Sequence, residues 1–493
     1  MWSAELQGEV MRHDAYPDIP HSALRIPHFG FMTQLPRVMR LRDVVLFNIT
    51  AIVGLRWLTT AGRIGPASLV LWLLALVIFF LPSAVAVREL TDIDPREGGI
   101  YRWVTRAFGP RHGFLAGWGY WVNNLVYYPS LLLTSGAMAA YVGGPGFVHL
   151  AEHKGFIAAF SLGSLWIALG LNLIGLRIGK WVQNLGAYGT WLPAAIFVAL
   201  ALWSLVARGS ATTFSVPALV PTHLDLPLLS LFATMTFAFA GLELAPTLGD
   251  EIHDPVATLR RGIVLSGIGI VATYVLGTAA MLVALPAETV SVTNGMPQAT
   301  AALTARLGVP WLAPAAALIA ALLTLGNVGG VGAWIAGTAR IPFVAGVDEV
   351  LPRTFGKVHP RWQTPHVALL VQGGIATLFI LAGLVGSTVR DAYLALVDMT
   401  IVLFFIPYLY MFAAYLRLER RRTPLTRAAG WAGLGAVVLS IALAFVPAAD
   451  VVNRAAFETK VVAGVIGFLG LGVWLARRGV RKRTASPASA RLS

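Results

Sequence analysis

Phe237-Ala238-Phe239-Ala240-Gly241-Leu242-Glu243 decides how this chain folds. The stretch lies in the middle of a long apolar run, where a glycine beside a carboxylate is out of place in a plain membrane helix. An ionised side chain at a bilayer centre costs on the order of 3 kcal/mol on insertion scales. A second stretch of the same kind comes near the start of the chain, in Ile52-Val53-Gly54-Leu55-Arg56. Counted in apolar runs, the two fall in the first and the sixth. If five spans form one repeat and the next five another, these are equivalent positions. Interrupted helices at equivalent positions in two halves point to a binding site at the bilayer midplane. Unwound backbone leaves N–H and C=O groups there that can hold a carboxylate and an ammonium. The alternative is that the glycines serve close helix packing.

Working outward, the composition excludes most other classes. Of 493 residues, 57% are hydrophobic and 12% charged, and the mean hydropathy is +0.72. Soluble domains are about a quarter charged, so a soluble enzyme of ordinary composition is excluded, and so is a disordered chain. The absence of cysteine removes disulfides, thiolate zinc sites, iron–sulfur clusters and cysteine nucleophiles. Crossing a bilayer takes about 20 apolar residues. Such stretches fall near 43–62, 67–88, 114–142, 155–176, 181–206, 227–249, 261–285, 311–340, 365–386, 392–416, 428–447 and 459–476. The expectation is an all-α membrane protein of twelve transmembrane helices with both ends inside. Its parts would be a cytoplasmic tail (1–42), a core (43–416) of two repeats (43–206 and 227–416), two additional helices (417–476) and a basic tail (477–493). Residues 1–42 contain no apolar segment of the kind a cleavable signal peptide needs.

Formal net charge is +14. The cations gather from Arg12 to Arg42, from Arg96 to Arg111, from Arg417 to Arg427 and beyond Arg477, the segments that the span order puts inside. This is the positive-inside pattern and points to no nucleic-acid partner. Arg481-Lys482-Arg483 reads as an anchor to lipid headgroups.

Three separated motifs resemble those of amino acid–polyamine–organocation permeases. The first is Pro95-Arg96-Glu97-Gly98-Gly99-Ile100-Tyr101 with Arg106-Ala107-Phe108-Gly109 and Gly113-Phe114-Leu115-Ala116-Gly117-Trp118. The second is the Phe237–Glu243 stretch with Asp250-Glu251-Ile252 and Asp254-Pro255. The third is Trp334-Ile335-Ala336-Gly337-Thr338-Ala339-Arg340, followed by Asp348-Glu349-Val350-Leu351-Pro352, Val358-His359-Pro360 and Thr364-Pro365. The similarity runs from about residue 40 to 420. It implies the five-plus-five inverted-repeat (LeuT-like) fold, with broken helices one and six and two extra helices at the end. The Asn123-Asn124 and Tyr127-Tyr128-Pro129 neighbourhood is similar to the branch with glutamate/GABA exchangers and plant polyamine carriers. Family members usually carry Gly-Ser-Gly in the first break, whereas this chain has Gly54-Leu55-Arg56.

The candidate substrate-binding residues are Ile52, Val53, Gly54, Leu55, Arg56, Asn124, Phe237, Ala238, Phe239, Gly241 and Asn327. Phe237 is a lid by resemblance. Asn327 offers either a polar contact to substrate or an interhelical hydrogen bond. Arg56, Glu243 and Asp398 are the intramembrane charges and the candidates for coupling or gating. Arg56 either binds a substrate carboxylate or forms an ion pair with Asp398 or Glu243. A related sodium-symporter family suggests Arg56–Asp398 as an outer gate. The resemblance implicates Glu243 in proton sensing; its alternative is to cap a half-helix.

None of the ten histidines lies well inside a span. No zinc motif, nucleophile elbow or phosphate loop is present, so no cofactor and no enzymatic activity are expected. The resemblance implies a secondary transporter that moves an amino acid across a cell membrane by alternating access. Energy would come from protons or from exchange. A polyamine or organic-cation carrier is the alternative, favoured by Glu243 and Asp398 and opposed by Arg56. A non-transporting sensor is the second alternative. The expected location is a bacterial inner membrane, and homo-oligomerisation is left open.

Overall fold

A computed structural model of the chain describes residues 35–221, 225–291, 295–348, 350–384, 389–419, 423–444 and 454–484. The side chains of Asp398 and of Arg481, Lys482 and Arg483 lie outside the described residues, as do the tails before residue 35 and after 484. The headgroup anchor and most of both expected tails therefore fall outside the description.

Helix α1 (Leu41–Ile52) stops where Val53 turns to extended backbone. Helix α2 (Arg56–Ile64) resumes after a bend of 51°. Helix α3 (Ala67–Ile93) follows. Its hydrogen-bond ladder widens over Leu76–Phe80, just ahead of Pro82, a residue with no N–H to donate. The short α4 (Ile100–Phe108) buries Ile100, Tyr101, Trp103, Val104 and Ala107. Then come α5 (Pro110–Ala139), α6 (Lys154–Leu173), α7 (Leu176–Arg208) and α8 (Leu226–Ala238). Asp225 caps α8, its Oδ1 accepting from the Leu228 N–H at 2.9 Å, as short acidic side chains do at helix starts. After α8 the helix breaks, and a 3-10 turn covers Ala245–Glu251. The remaining helices are α9 (Pro255–Ala284), α10 (Gly295–Leu307), α11 (Ala315–Val347), α12 (His366–Leu384), α13 (Val389–Leu418), α14 (Pro424–Ala444) and α15 (Arg454–Thr484).

Among the described residues, nine helices are long and apolar enough to cross a membrane, and the bent α1–α2 pair makes a tenth. The expected sixth and twelfth spans are represented by shorter apolar helices, Leu228–Ala238 and Val462–Arg477. The sixth is short because its second half is the 3-10 turn. Both expected interruptions are present.

Lipid is as apolar as leucine, so helices associate through close fit, and small residues permit it. On the α7–α11 seam, a Cβ on Gly189 would lie 2.5 Å from the Gly326 nitrogen. A Cβ on Gly186 would lie 2.6 Å from the Gly329 Cα. We expect Gly189→Ala to lower stability in detergent by about 1–3 kcal/mol, the usual cost of overpacking. Gly163→Ala, where nothing lies within 4 Å, is the control. Equal melting of the two variants would contradict the seam.

At the end of the bundle that carries Leu35–Arg40, here called the N-terminal face, the two broken spans are tied together. Met39 and Ile252 form a parallel bridge. The Val38 N–H donates to Glu251 O (2.9 Å) and the His253 N–H to Met39 O (2.9 Å). The loop 94–99 lies across the 3-10 turn. The Gly98 N–H donates to Thr247 O at 3.1 Å, and a Cβ on Gly249 would run into Pro95 O. Beneath this loop Arg340 is 1% exposed. Its guanidinium meets Glu251 at 2.7 Å and Glu97 at 3.6 Å. All three motifs of the resemblance thus meet on one face.

Candidate functional site

Tyr120, Asn124 and Tyr127 recur at i, i+4 and i+7, so α5 presents them on one face. Phe404 and Tyr408 do the same on α13. These faces and Trp334 of α11 meet the two helix breaks. Ala51, Ile52 and Trp57 from the first broken span, with Phe237, Ala238 and Ala240 from the sixth, complete a cavity whose other walls are Asn123, Asn124, Tyr127, Trp334 and Phe404. The spare room is about 20 Å³, enough for a water molecule and little more. The side chains leave little room in the site.

The two breaks are made differently. Gly241 has φ +132°, a conformation that side chains rarely adopt, and a Cβ there would meet Ile52 Cγ1 at 2.8 Å. Only glycine suits that position. Gly54 has no such backbone; a Cβ on it would meet Trp57 Nε1 at 2.7 Å, which is a packing constraint. The Tyr274 hydroxyl from α9 joins the breaks. It lies 2.8 Å from Ile52 O and 2.9 Å from Ala238 O, and accepts from the Gly54 N–H at 3.2 Å. Its one proton serves two carbonyls. Trp334 Nε1 donates to Ala51 O at 2.8 Å.

Toward the N-terminal face the cavity has a polar floor. Glu243 is fully buried. One carboxylate oxygen accepts from the Tyr120 hydroxyl at 2.7 Å and the other from the Tyr408 hydroxyl. Tyr408 in turn accepts from the Gly241 N–H at 2.9 Å. Asn124 Nδ2 donates to Tyr120 O at 2.8 Å, which fixes the amide and leaves Oδ1 without a partner. On the opposite side Phe237 forms a roof, edge-on to Trp57 (5.7 Å), Phe404 (5.4 Å) and Phe405 (5.9 Å).

Of the expected site residues, Ile52, Asn124, Phe237 and Ala238 line the cavity. Val53 and Leu55 are buried beside it. Phe239 turns the other way, against Trp72, Phe80 and Tyr274. Asn327 is not a cavity residue; its Nδ2 lies 4.0 Å from Met138 Sδ, an interhelical contact. Arg56 sits behind two cavity walls, its Cζ 4.4 Å from the Trp57 ring and 5.3 Å from the Tyr127 ring. The alternative Arg56–Glu243 pair is not formed: Glu243 lies below the cavity among tyrosines, and Arg56 belongs to the far half of the first broken span. The Arg56–Asp398 pair involves a side chain outside the described residues.

Sequence reasoning did not single out Tyr120, Tyr408, Tyr274 or Phe404. The 3.6-residue repeat of aromatics on α5 and α13 was a usable signal. Nothing local marks Tyr274.

Two broken helices meeting at a small, aromatic-walled cavity in a helical bundle define a membrane transporter fold. The structure of MhsT in complex with L-phenylalanine has the same fold, with a TM-score of 0.61 over 84% of this chain and 99% of that one at 13% identity. The chain belongs to the amino acid permease family, whose model matches residues 40–469; it is a transporter and not an enzyme. An uncharacterized transporter of Legionella pneumophila is 30% identical over 79% of this chain and 82% of its own. A probable agmatine/putrescine antiporter of Lactococcus lactis is 26% identical over 88% and 93%. A glutamate/gamma-aminobutyrate antiporter of the same species is 24% identical over 72% and 71%.

Proposed function

We propose that the chain is a secondary active transporter that moves an amino acid across a cell membrane by alternating access. The observation that carries this reading is the small cavity at the meeting of the two breaks. It has unpartnered amide oxygens within, an aromatic roof and a Tyr120–Glu243–Tyr408 floor. Access from the N-terminal face requires that floor to part, and access from the other side requires Phe237 to swing. Two barriers on either side of one small site are what alternating access needs.

In this reading the N-terminal face is cytoplasmic, as the clustered cations suggest, and both termini lie inside. Twelve spans divide into repeats at 43–206 and 227–416 with two additional helices. The first, second, sixth and seventh spans rock against the rest. Glu243 supplies coupling: an ionised carboxylate accepts both tyrosine protons, whereas a protonated one turns one oxygen into a donor and loosens the floor. The relative named as an agmatine/putrescine antiporter keeps a polyamine carrier as the second reading.

Purified protein in liposomes preloaded with a mixture of unlabelled amino acids should accumulate labelled amino acid transiently. A protonophore should abolish the gradient-driven component if protons are coupled, and leave exchange intact if they are not. Binding without any counterflow would sink the transport reading in favour of a sensor.

A further inference from the structure

Arg56 is 5% exposed, and its Nε and Nη1 are buried without a hydrogen-bond partner. Its company is the Trp57 and Tyr127 rings, and no carboxylate of a described residue pairs with it. A ring face attracts a cation but does not neutralise it. A buried guanidinium left in this state is a group waiting for an anion. Three backbone acceptors at the breaks are meanwhile occupied. Ala51 O takes the Trp334 N–H, and Ile52 O and Ala238 O share the Tyr274 hydroxyl. Among the side chains of the described cavity residues, Oδ1 of Asn123 and Oδ1 of Asn124 are buried without a partner. Glu243 is engaged by two tyrosines.

From these observations we infer that the substrate carries a net negative charge, and that one of its carboxylates becomes the counter-ion of Arg56. The inference rests on the transport reading and sharpens it to an acidic amino acid. Glu243 keeps its own charge on the floor, where two hydroxyls already hold it, so the charge arithmetic that separates the classes is local to Arg56 on the other side of the cavity. A dicarboxylic amino acid brings one excess negative charge and cancels that of Arg56. A neutral zwitterion can turn its one carboxylate to Arg56, but its ammonium brings a compensating positive charge into the same place. A diamine adds two positive charges next to it, in a place where water screens little. The two asparagine oxygens suit a single ammonium. Arg56 approaches through the walls it stacks on, so Trp57 and Tyr127 shift as the site fills; the present 20 Å³ of room requires such a movement in any case.

The test uses the full chain in proteoliposomes and counterflow of radiolabelled L-glutamate, competed by unlabelled glutamate, leucine or putrescine. Glutamate should compete about tenfold better than leucine, and putrescine should not compete, given that each tenfold corresponds to one charge-assisted hydrogen bond of ordinary strength. Arg56→Lys keeps the charge but not the planar guanidinium; it should raise the half-saturation constant for glutamate with little change in maximal rate. Arg56→Ala should raise it further while melting no lower than the wild type, because it removes an unpaired charge. Equal competition by leucine or putrescine, or an unchanged constant in Arg56→Ala, would overturn the inference. Equilibrium binding of labelled glutamate in detergent separates its failure from that of the transport reading. Binding that is lost in Arg56→Ala, without counterflow, keeps the inference and sinks transport. Absence of both binding and counterflow of glutamate sinks the inference.

Discussion

Arg340→Ala is expected to be the most destabilising single substitution in this protein, by about 3–5 kcal/mol, the cost of removing one partner from a buried ion pair. Arg340 is packed under the loop 94–99, with Glu251 at 2.7 Å, Glu97 at 3.6 Å and a further hydrogen bond to Ala336 O at 2.7 Å. Its removal leaves two buried carboxylates facing one another. Loss of melting temperature in detergent, and of yield in the membrane, are the readouts. The double variant Arg340→Leu with Glu251→Leu should recover much of the loss, because a paired charge can be replaced by apolar volume at small cost. A single variant that melts like the wild type would contradict the triad.

The same cluster has a pH signature. Burial, and then the neighbouring Glu251, push the Glu97 carboxyl well above its usual range. A group whose folded value is raised stabilises most when protonated. Its contribution is complete below the ordinary carboxyl range and is lost as pH rises through the raised value. The N-terminal face should therefore hold more firmly in acid, and Glu97→Gln should flatten that dependence.

The second large effect concerns the floor of the cavity. Glu243→Leu strips two tyrosine hydroxyls of their acceptor, and each buried unsatisfied group costs about 1–3 kcal/mol. Transport should fall on the order of 10–100-fold, since about 1.4 kcal/mol corresponds to a factor of ten. Glu243→Gln keeps an acceptor but cannot exchange a proton. It should retain counterflow and lose whatever change of rate the wild type shows between acidic and neutral pH. An unaltered pH profile in that variant would remove Glu243 from coupling. Tyr408→Phe serves as a check, because it breaks the bonds to both Glu243 and the Gly241 N–H.

Hydropathy alone revealed the spans, because crossing lipid demands length and apolarity that nothing else in the chain mimics. The glycine–charge stretches marked both breaks for a similar reason: such residues are costly in lipid unless a local structure uses them. Gly241 bears this out through its backbone, and Gly54 shows the limit, since a packing glycine and a break glycine look alike in one dimension. Phe237 and Phe239 make the same point, two residues apart and on opposite sides of an irregular segment. No periodicity predicts which one faces the cavity once the helix has unwound.

What the amino-acid order determined by itself is the membrane class, the two interruptions and the three motifs that mark the family, all local or compositional properties. The tertiary structure decided the rest. It brought the separated motifs together around Arg340, set Tyr120 and Tyr408 on the two oxygens of Glu243, and put Tyr274 across both breaks. It also set Arg56 against the Trp57 and Tyr127 rings. Such arrangements join residues far apart in the chain, Tyr120 and Glu243 by 123 positions and Tyr274 and Ile52 by 222, and which distant side chains meet depends on how the helices cross, a property that no stretch of the chain carries alone.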